Sequence, residues 1–221
     1  RNVFGASNLA AYTPTNASGN YPQVNIKHGT VSGSVFGAGN GDPNDPAKGI
    51  VTSNPVVTIG DAVAGHYVVV AENVYGGGNN ASVTGSTSVT YNDNNASSTV
   101  AKLFGGGNAA GVTGAAAVTL TNGKVTGGVY GGCNSSGTIG GNALVTVTGG
   151  TVGANAAHAN IHGGGYGQQT AVSGDVTVNI GSVTGSGNSA QYSGSATIYG
   201  DVYGGSALGT VNTDHSNGGT Y

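Results

Sequence analysis

Short strands with alternating apolar and polar residues recur along the chain at a nearly constant spacing. The pattern is Val-Thr followed by an apolar residue at positions 57–59, 89–91, 118–120, 145–147 and 176–178, with a weaker copy at 24–26. Because side chains alternate between the two faces of a strand, the pattern predicts valines that point into a core and threonines that point outward. The predicted outward row consists of Thr58, Thr90, Thr119, Thr146 and Thr177.

A second motif joins an aliphatic residue, an aromatic residue and a glycine-rich stretch that usually ends in asparagine. It occurs at residues 3–8, 35–40, 74–79, 103–108 and 129–134, with degenerate copies at 161–165 and 202–206. Glycine and asparagine tolerate the positive-φ conformations of tight corners, so the motif predicts a short strand followed by a turn. Its asparagines are Asn40, Asn79, Asn108 and Asn134, and its rings are Phe36, Tyr75, Phe104, Tyr130 and Tyr203, with His162 at the same place.

A third short strand follows most glycine-rich turns, as at residues 82–84 and 111–113. One such set of three strands cannot bury its apolar face alone, whereas stacked sets share a continuous core. We therefore expect an all-β protein, a parallel β-solenoid of the right-handed β-helix type, with about six to seven coils of roughly 30 residues and three short strands each. A β-propeller is the alternative, but its blades need four strands in about 40–45 residues, and these repeats are shorter.

The repeats divide the chain into three parts. We expect an N-terminal arm with a partial repeat at residues 1–23, solenoid repeats at 24–212 and a polar C-terminal tail at 213–221. Residues 5–23 resemble the repeats least, and as an extended arm they would cover a sheet edge or add to a neighbouring subunit. The chain begins with Arg1 and contains no methionine, so we expect a processed product or an excised piece of a longer repeat array.

Composition narrows the classes of function. Glycine supplies 45 of the 221 residues, but the 37% of hydrophobic residues argue against disorder. A net charge of −3 with five basic residues is not the footprint of a nucleic-acid-binding protein. No apolar run approaches the length of a membrane-spanning helix, so we expect no membrane span.

Stacking gives the recurring polar and aromatic positions a structural role. Equivalent residues of successive parallel strands lie about 4.8 Å apart. The asparagines are then expected to hydrogen-bond along a ladder, and the aromatic residues to form a second row. Charged residues are scarce because like charges in register would repel each other.

Catalytic and metal-binding chemistry finds little support. The chain has one glutamate, and its only close pair of acids is Asp42 and Asp45, which we interpret as a solvated turn. Glycoside hydrolysis needs paired carboxylates, and His158 with His162 lacks further ligands for a metal. Cys133 replaces a motif glycine and is interpreted as a small packed residue. We expect no catalytic residues, no metal and no cofactor.

Two surfaces remain as candidates for binding. The threonine row resembles the regular hydroxyl and methyl array that would match ice. Insertions in repeat proteins gather on one side and often form the binding face. The longest insertion contains the candidate binding loop Ser182, Asn188, Gln191 and Tyr192.

Residues 129–134, 161–167 and 200–206 carry a resemblance to a known group of proteins. They resemble repeats of very large secreted or surface proteins of Bacteroidetes and, more broadly, bacterial β-helix adhesins and autotransporter passengers. The resemblance covers nearly the whole chain and implies an extracellular location on the bacterial cell surface. We expect a non-enzymatic structural or adhesive protein that associates end to end into a fibre or stalk. The alternatives are a monomeric adhesin module that binds a glycan or host surface, and an ice-binding protein.

Overall fold

The computed structural model describes residues 1–212 except Ala17 and Ala62, so the predicted tail at 213–221 lies outside the described residues. Within this part of the chain the protein has no α-helix, and a short 3-10 helix spans Gly187–Ser189. The strands are β1 (Val3–Phe4), β2 (Gln23–Ile26), β3 (Gly29–Val31), β4 (Val35–Phe36), β5 (Val56–Ile59), β6 (Val68–Tyr75), β7 (Thr87–Asn92), β8 (Thr99–Phe104), β9 (Ala116–Asn122), β10 (Lys124–Val125), β11 (Val129–Tyr130), β12 (Ser136–Ile139), β13 (Ala143–Val147), β14 (Thr151–Val152), β15 (Ile161–His162), β16 (Gln169–Val172), β17 (Val176–Ile180), β18 (Ser182–Thr184), β19 (Gln191–Ser193), β20 (Thr197–Ile198), β21 (Val202–Tyr203) and β22 (Thr210–Val211).

A six-stranded parallel sheet collects the Val-Thr strands in the order β2-β5-β7-β9-β13-β17. Each strand comes from the repeat that follows its neighbour's, and the valines lie opposite one another, as Val57, Val89 and Val118 do. These valines are fully buried. The alternation of the sequence therefore matches the two faces of this sheet.

An eleven-stranded sheet collects the strands of the aromatic motif and the short strands that precede them. One row of pairing runs β1-β4-β6-β8-β11-β15-β21 and a second runs β3-β6-β8-β10-β14-β20. The longer strands β6 and β8 belong to both rows and join them. All of these pairings are parallel.

The third parallel sheet, β12-β16-β22, is short. Isolated parallel bridges extend its line back through Val112, Val83 and Val51 to Tyr12. The Tyr12 N–H donates to the Ile50 carbonyl over 2.8 Å, so this section of the predicted arm pairs within its own chain.

The core lies between the sheets. The largest buried cluster combines valines of the six-stranded and eleven-stranded sheets, such as Val118 and Val125, and a second cluster contains Val112 and Ile139. The prediction of an all-β protein with parallel sheets is confirmed, and the arrangement is compatible with a β-solenoid. The only antiparallel strand pair among the described residues is β18 with β19.

Candidate functional site

The motif asparagines form a continuous ladder of side-chain amides. In each step the Nδ2 group donates to Oδ1 of the residue one repeat earlier, over 2.7–2.9 Å. The ladder contains the four predicted residues Asn40, Asn79, Asn108 and Asn134, and it begins one repeat earlier than predicted, at Asn8. Asn8 stands in the first copy of the aromatic motif, which is the sequence signal for its inclusion.

The aromatic positions form a second ladder in which the ring faces are stacked. Successive centroids are 4.7–5.3 Å apart and the planes differ by at most 12°. The spacing follows from the distance between neighbouring strands. The rings are Phe4, Phe36, Tyr75, Phe104, Tyr130, His162 and Tyr203.

The Tyr75 hydroxyl connects the two ladders. It accepts hydrogen bonds from the amide nitrogens of Asn73 over 2.9 Å and of Asn134 over 3.2 Å. Burial raises the pKa of Tyr75 and raises the pKa of Tyr130 to about 12, so neither ring carries a charge at neutral pH. The Asn134 hydrogen bond and the stacked rings connect one repeat to another.

The outward row differs from the sequence prediction at its last member. Thr58, Thr90, Thr119 and Thr146 pair in register, but Thr177 pairs with Leu144 instead of Thr146. The row is flanked by two asparagines, Asn25 before Thr58 and Asn179 after Thr146. The alternation in β17 keeps its apolar residues on one face in either register, so the sequence pattern alone could not distinguish the two.

The candidate binding loop folds as the antiparallel hairpin β18–β19. Tyr192 is 83% exposed, and the Ser182 and Ser193 hydroxyls are hydrogen-bonded over 2.7 Å. Tyr192 and Ser182 line an open groove of about 580 Å³, which also includes Asn179 and Thr146. Gln191 lies in β19 and Asn188 in the 3-10 helix, and neither lines this groove.

Among the described residues β17, β20, β21 and β22 each pair with a single strand, and the open edges of β17, β21 and β22 form what we call the C-terminal end surface. Val202 is 45% exposed, whereas Ile161, its partner in the preceding repeat, is fully buried. Tyr203 is also 45% exposed, and a hollow of about 720 Å³ between Val176, Gly204 and Val211 opens onto this surface. The row that includes Ile161 and Val202 therefore ends at Val202, and no described residue covers the outer side of Val202.

The glycines of the motif explain how closely successive repeats approach. A Cβ atom on the first motif glycine would lie 2.0–2.6 Å from the carbonyl oxygen of the equivalent glycine one repeat later. This holds for Gly5, Gly37, Gly76, Gly105, Gly131 and Gly163. Gly204 is the next member, and among the described residues nothing lies within 4 Å of its Cβ position.

The acidic and histidine side chains that could bind a metal or transfer a proton are scattered over the described part of the chain. Among the described residues no group of three His, Cys, Asp or Glu side chains is placed to hold a metal ion. The Asp42 and Asp45 carboxylates accept backbone N–H groups of their own turn, and the His162 ring lies between Tyr130 and Tyr203. Among the described residues, Asp61 and His66 form an acid–base pair with 3.1 Å between Asp61 Oδ1 and His66 Nδ1.

Cys133 is buried, and its thiol donates to the Ala110 carbonyl over 3.4 Å. Burial raises the pKa of this thiol to about 12. The side chain is therefore protonated at neutral pH, as expected of a packed residue.

No helix among the described residues is long and apolar enough to cross a membrane. In comparisons with known proteins, no family model, no curated protein and no solved structure matches this chain.

Proposed function

We propose that the three parallel sheets are the faces of one right-handed β-solenoid of about six to seven coils of roughly 30 residues, and that the solenoid is a structural protein. The pairing of each strand with the equivalent strand of the next repeat supports this architecture. The right hand follows the strong preference of parallel crossover connections. A cross-linking or cryo-microscopy map that places the sheets on separate cores would contradict it.

The function we propose is a non-enzymatic extracellular scaffold on the bacterial cell surface, adhesive or structural, that associates end to end into a fibre or stalk. The observation that carries it is the C-terminal end surface, where Val202, Ile180 and the stacked ring of Tyr203 are exposed among the described residues. Free strand edges of this kind pair readily with other strands. A contact between different surfaces of identical subunits continues into an open filament.

Sedimentation velocity over a range of concentrations and negative-stain imaging test this proposal. The expected result is a filament with an axial repeat of about 30 Å per subunit, which corresponds to the height of six to seven coils. A monodisperse particle of one chain at the highest concentration would contradict end-to-end association. Surface labelling of intact source cells with an antibody tests the extracellular location.

The second candidate is a monomeric module that binds a glycan or host surface. The groove beside Tyr192 favours it, because the exposed Tyr192 ring lines the groove together with the polar residues Asn179 and Thr146. Pockets of this kind use an apolar body with a few polar groups to orient a ligand. Glycan-array binding that is lost in Tyr192→Ala and retained in Tyr12→Ala would support this candidate, whereas equal binding by both variants would contradict it.

The third candidate is ice binding by the outward row. Four aligned threonines, Thr58, Thr90, Thr119 and Thr146, favour it. Asn25 and Asn179 interrupt the regular array at its two ends. A thermal-hysteresis measurement tests the candidate, and zero hysteresis would exclude it.

A further inference from the structure

The C-terminal end surface exposes residues, such as Val202, whose equivalents in the preceding repeat are buried by the next repeat. We propose that its occupant is the first repeat (residues 3–26) of a second copy of this chain, in one defined register. This inference rests on the end-to-end association proposed above and specifies its joint. The opposite pairs are Val202 with Val3, Tyr203 with Phe4, Val178 with Val24, Ile180 with Ile26, Asn179 with Asn25, and Val211 with Tyr12.

The glycine positions carry the first step of the argument. Wherever one repeat follows another, the first motif glycine leaves room for the carbonyl oxygen of the next repeat, as Gly163 does for Gly204. Position 204 is also a glycine, although no neighbour among the described residues would clash with a side chain there. In the proposed joint its space receives the carbonyl oxygen of Gly5 of the second copy.

The strand edges supply matching hydrogen bonds. Inside the chain, the Gly5 N–H donates to the Phe36 carbonyl over 2.9 Å, and the Gly163 N–H donates to the Tyr203 carbonyl over 2.9 Å. Continuing this pattern, the Gly204 N–H donates to the Phe4 carbonyl of the second copy. The Tyr203 ring then stacks on the Phe4 ring, so the aromatic ladder runs on without a gap.

The apolar rows also continue. The row Val24, Val57, Val89, Val118, Val145 and Val178 has an aliphatic side chain at every step. Placing Val24 of the second copy on Val178 repeats a contact that the chain already makes five times. Ile180, which is 46% exposed, is covered in the same way by Ile26.

The polar row gives the register its specificity. Its two ends are Asn25 and Asn179, and the joint brings these two amides together. The chain already uses this interaction, because the Asn122 amide donates to Asn92 Oδ1 of the neighbouring strand over 2.8 Å. A shift by two residues would place Asn25 opposite Thr177 and leave both amides without that partner.

A later segment of the same chain is the other possible occupant, and the test separates the two. On a Cys133→Ala background, Asn25→Cys and Asn179→Cys chains are purified separately, mixed and mildly oxidised. Opposite residues lie about 4.8 Å apart between Cα atoms, within disulfide range, whereas Asn25→Cys and Thr177→Cys would be about 8 Å apart and beyond it. We expect at least tenfold more disulfide dimer from the first mixture than from the second. Equal yields overturn the register.

Substitution of Gly204 provides the second measurement. Because nothing among the described residues lies within 4 Å of the Gly204 Cβ position, we expect Gly204→Val to leave the thermal unfolding of the single chain unchanged and to abolish end-to-end association. Thr119→Val on the outward face is the matched control and should associate normally. Association by Gly204→Val at the wild-type level overturns the joint while leaving the proposed function intact. A chain that remains monomeric in every variant overturns both.

Discussion

The carbonyl oxygen of Gly131 lies 2.3 Å from the position that a Cβ atom on Gly105 would occupy. The two residues belong to successive repeats, and the Gly105 N–H donates to the Tyr130 carbonyl over 2.9 Å. The backbones therefore approach more closely than any side chain permits. The requirement for glycine at this place arises from the neighbouring repeat rather than from the local φ angle.

This contact predicts a large effect of Gly105→Ala. The added methyl group meets a backbone oxygen that cannot move without breaking the sheet, and overpacking of this kind costs about 1–3 kcal/mol or more. Urea denaturation should show a lower free energy of unfolding. Gly204→Ala is the matched control because none of the described residues lies within 4 Å of its Cβ position, and we expect it to change the stability of the single chain by less than about 0.5 kcal/mol. Equal losses in the two variants would contradict the explanation.

The amide ladder predicts a graded response to removal of its members. Asn108→Ala removes a donor to Asn79 and an acceptor for Asn134, both at 2.8 Å. We expect a loss of about 1–3 kcal/mol, because the remaining amides lose partners at half-buried positions. Asn8→Ala at the exposed end of the ladder breaks one hydrogen bond and should cost less. The order of the two losses, measured by chemical denaturation, is the test, and an inverted order would argue against a cooperative ladder.

The histidine in the aromatic stack predicts a dependence of stability on pH. Burial lowers the pKa of His162, and its Nδ1 atom has no hydrogen-bond partner among the described residues. In the unfolded chain this histidine has a pKa of about 6.5 and takes up a proton more readily than in the folded chain. The stabilising contribution of the neutral, buried ring is therefore fully present above that pH. It is lost as the pH falls through the unfolded pKa toward the lower folded value.

His162→Phe keeps a ring in the stack and removes the titration. Between about pH 7 and pH 5, the wild-type free energy of unfolding should fall more steeply than that of the variant. Tyr130→Phe is the control, since it alters the neighbouring ring of the same stack without removing a histidine and should retain the wild-type slope. Parallel curves for wild type and His162→Phe would refute the assignment.

The buried thiol predicts a lack of reactivity in the folded state. With a pKa of about 12 and no exposure, Cys133 should react with a thiol reagent at neutral pH only after the chain unfolds. The rate of modification should therefore rise with urea concentration along the unfolding transition. Rapid modification of the native protein would show that this part of the core opens locally.

Much of the fold could be predicted because side-chain alternation and repeat spacing reflect direct physical constraints. The Val118 row, the stacked rings and the Asn108 amide ladder all follow from placing equivalent positions of successive strands together. These features depend on a one-to-one relation between a repeat and a strand. Where each repeat contributes one strand to a sheet, the residue types in the sequence were sufficient to predict which side chains lie together.

The sequence pattern was insufficient where two arrangements satisfy the same alternation. In β17, a shift by two residues keeps Val176 and Val178 on the inner face, so Thr177 and Asn179 could not be told apart as the row's last member. Within the described part of the chain, no other repeat contains an antiparallel hairpin like the one around Tyr192, so its pairing could not be inferred from the other repeats. Only the three-dimensional contacts decide such cases.

The direction of the backbone hydrogen bonds has a mechanical consequence. In all three parallel sheets these bonds run from one repeat to the next, so tension along the stacking direction pulls on them lengthwise. An end repeat is held by one neighbour, whereas an internal repeat is held by two. Under load the protein should therefore peel from an end in steps of about 30 residues, each a small and similar force event, instead of rupturing at once.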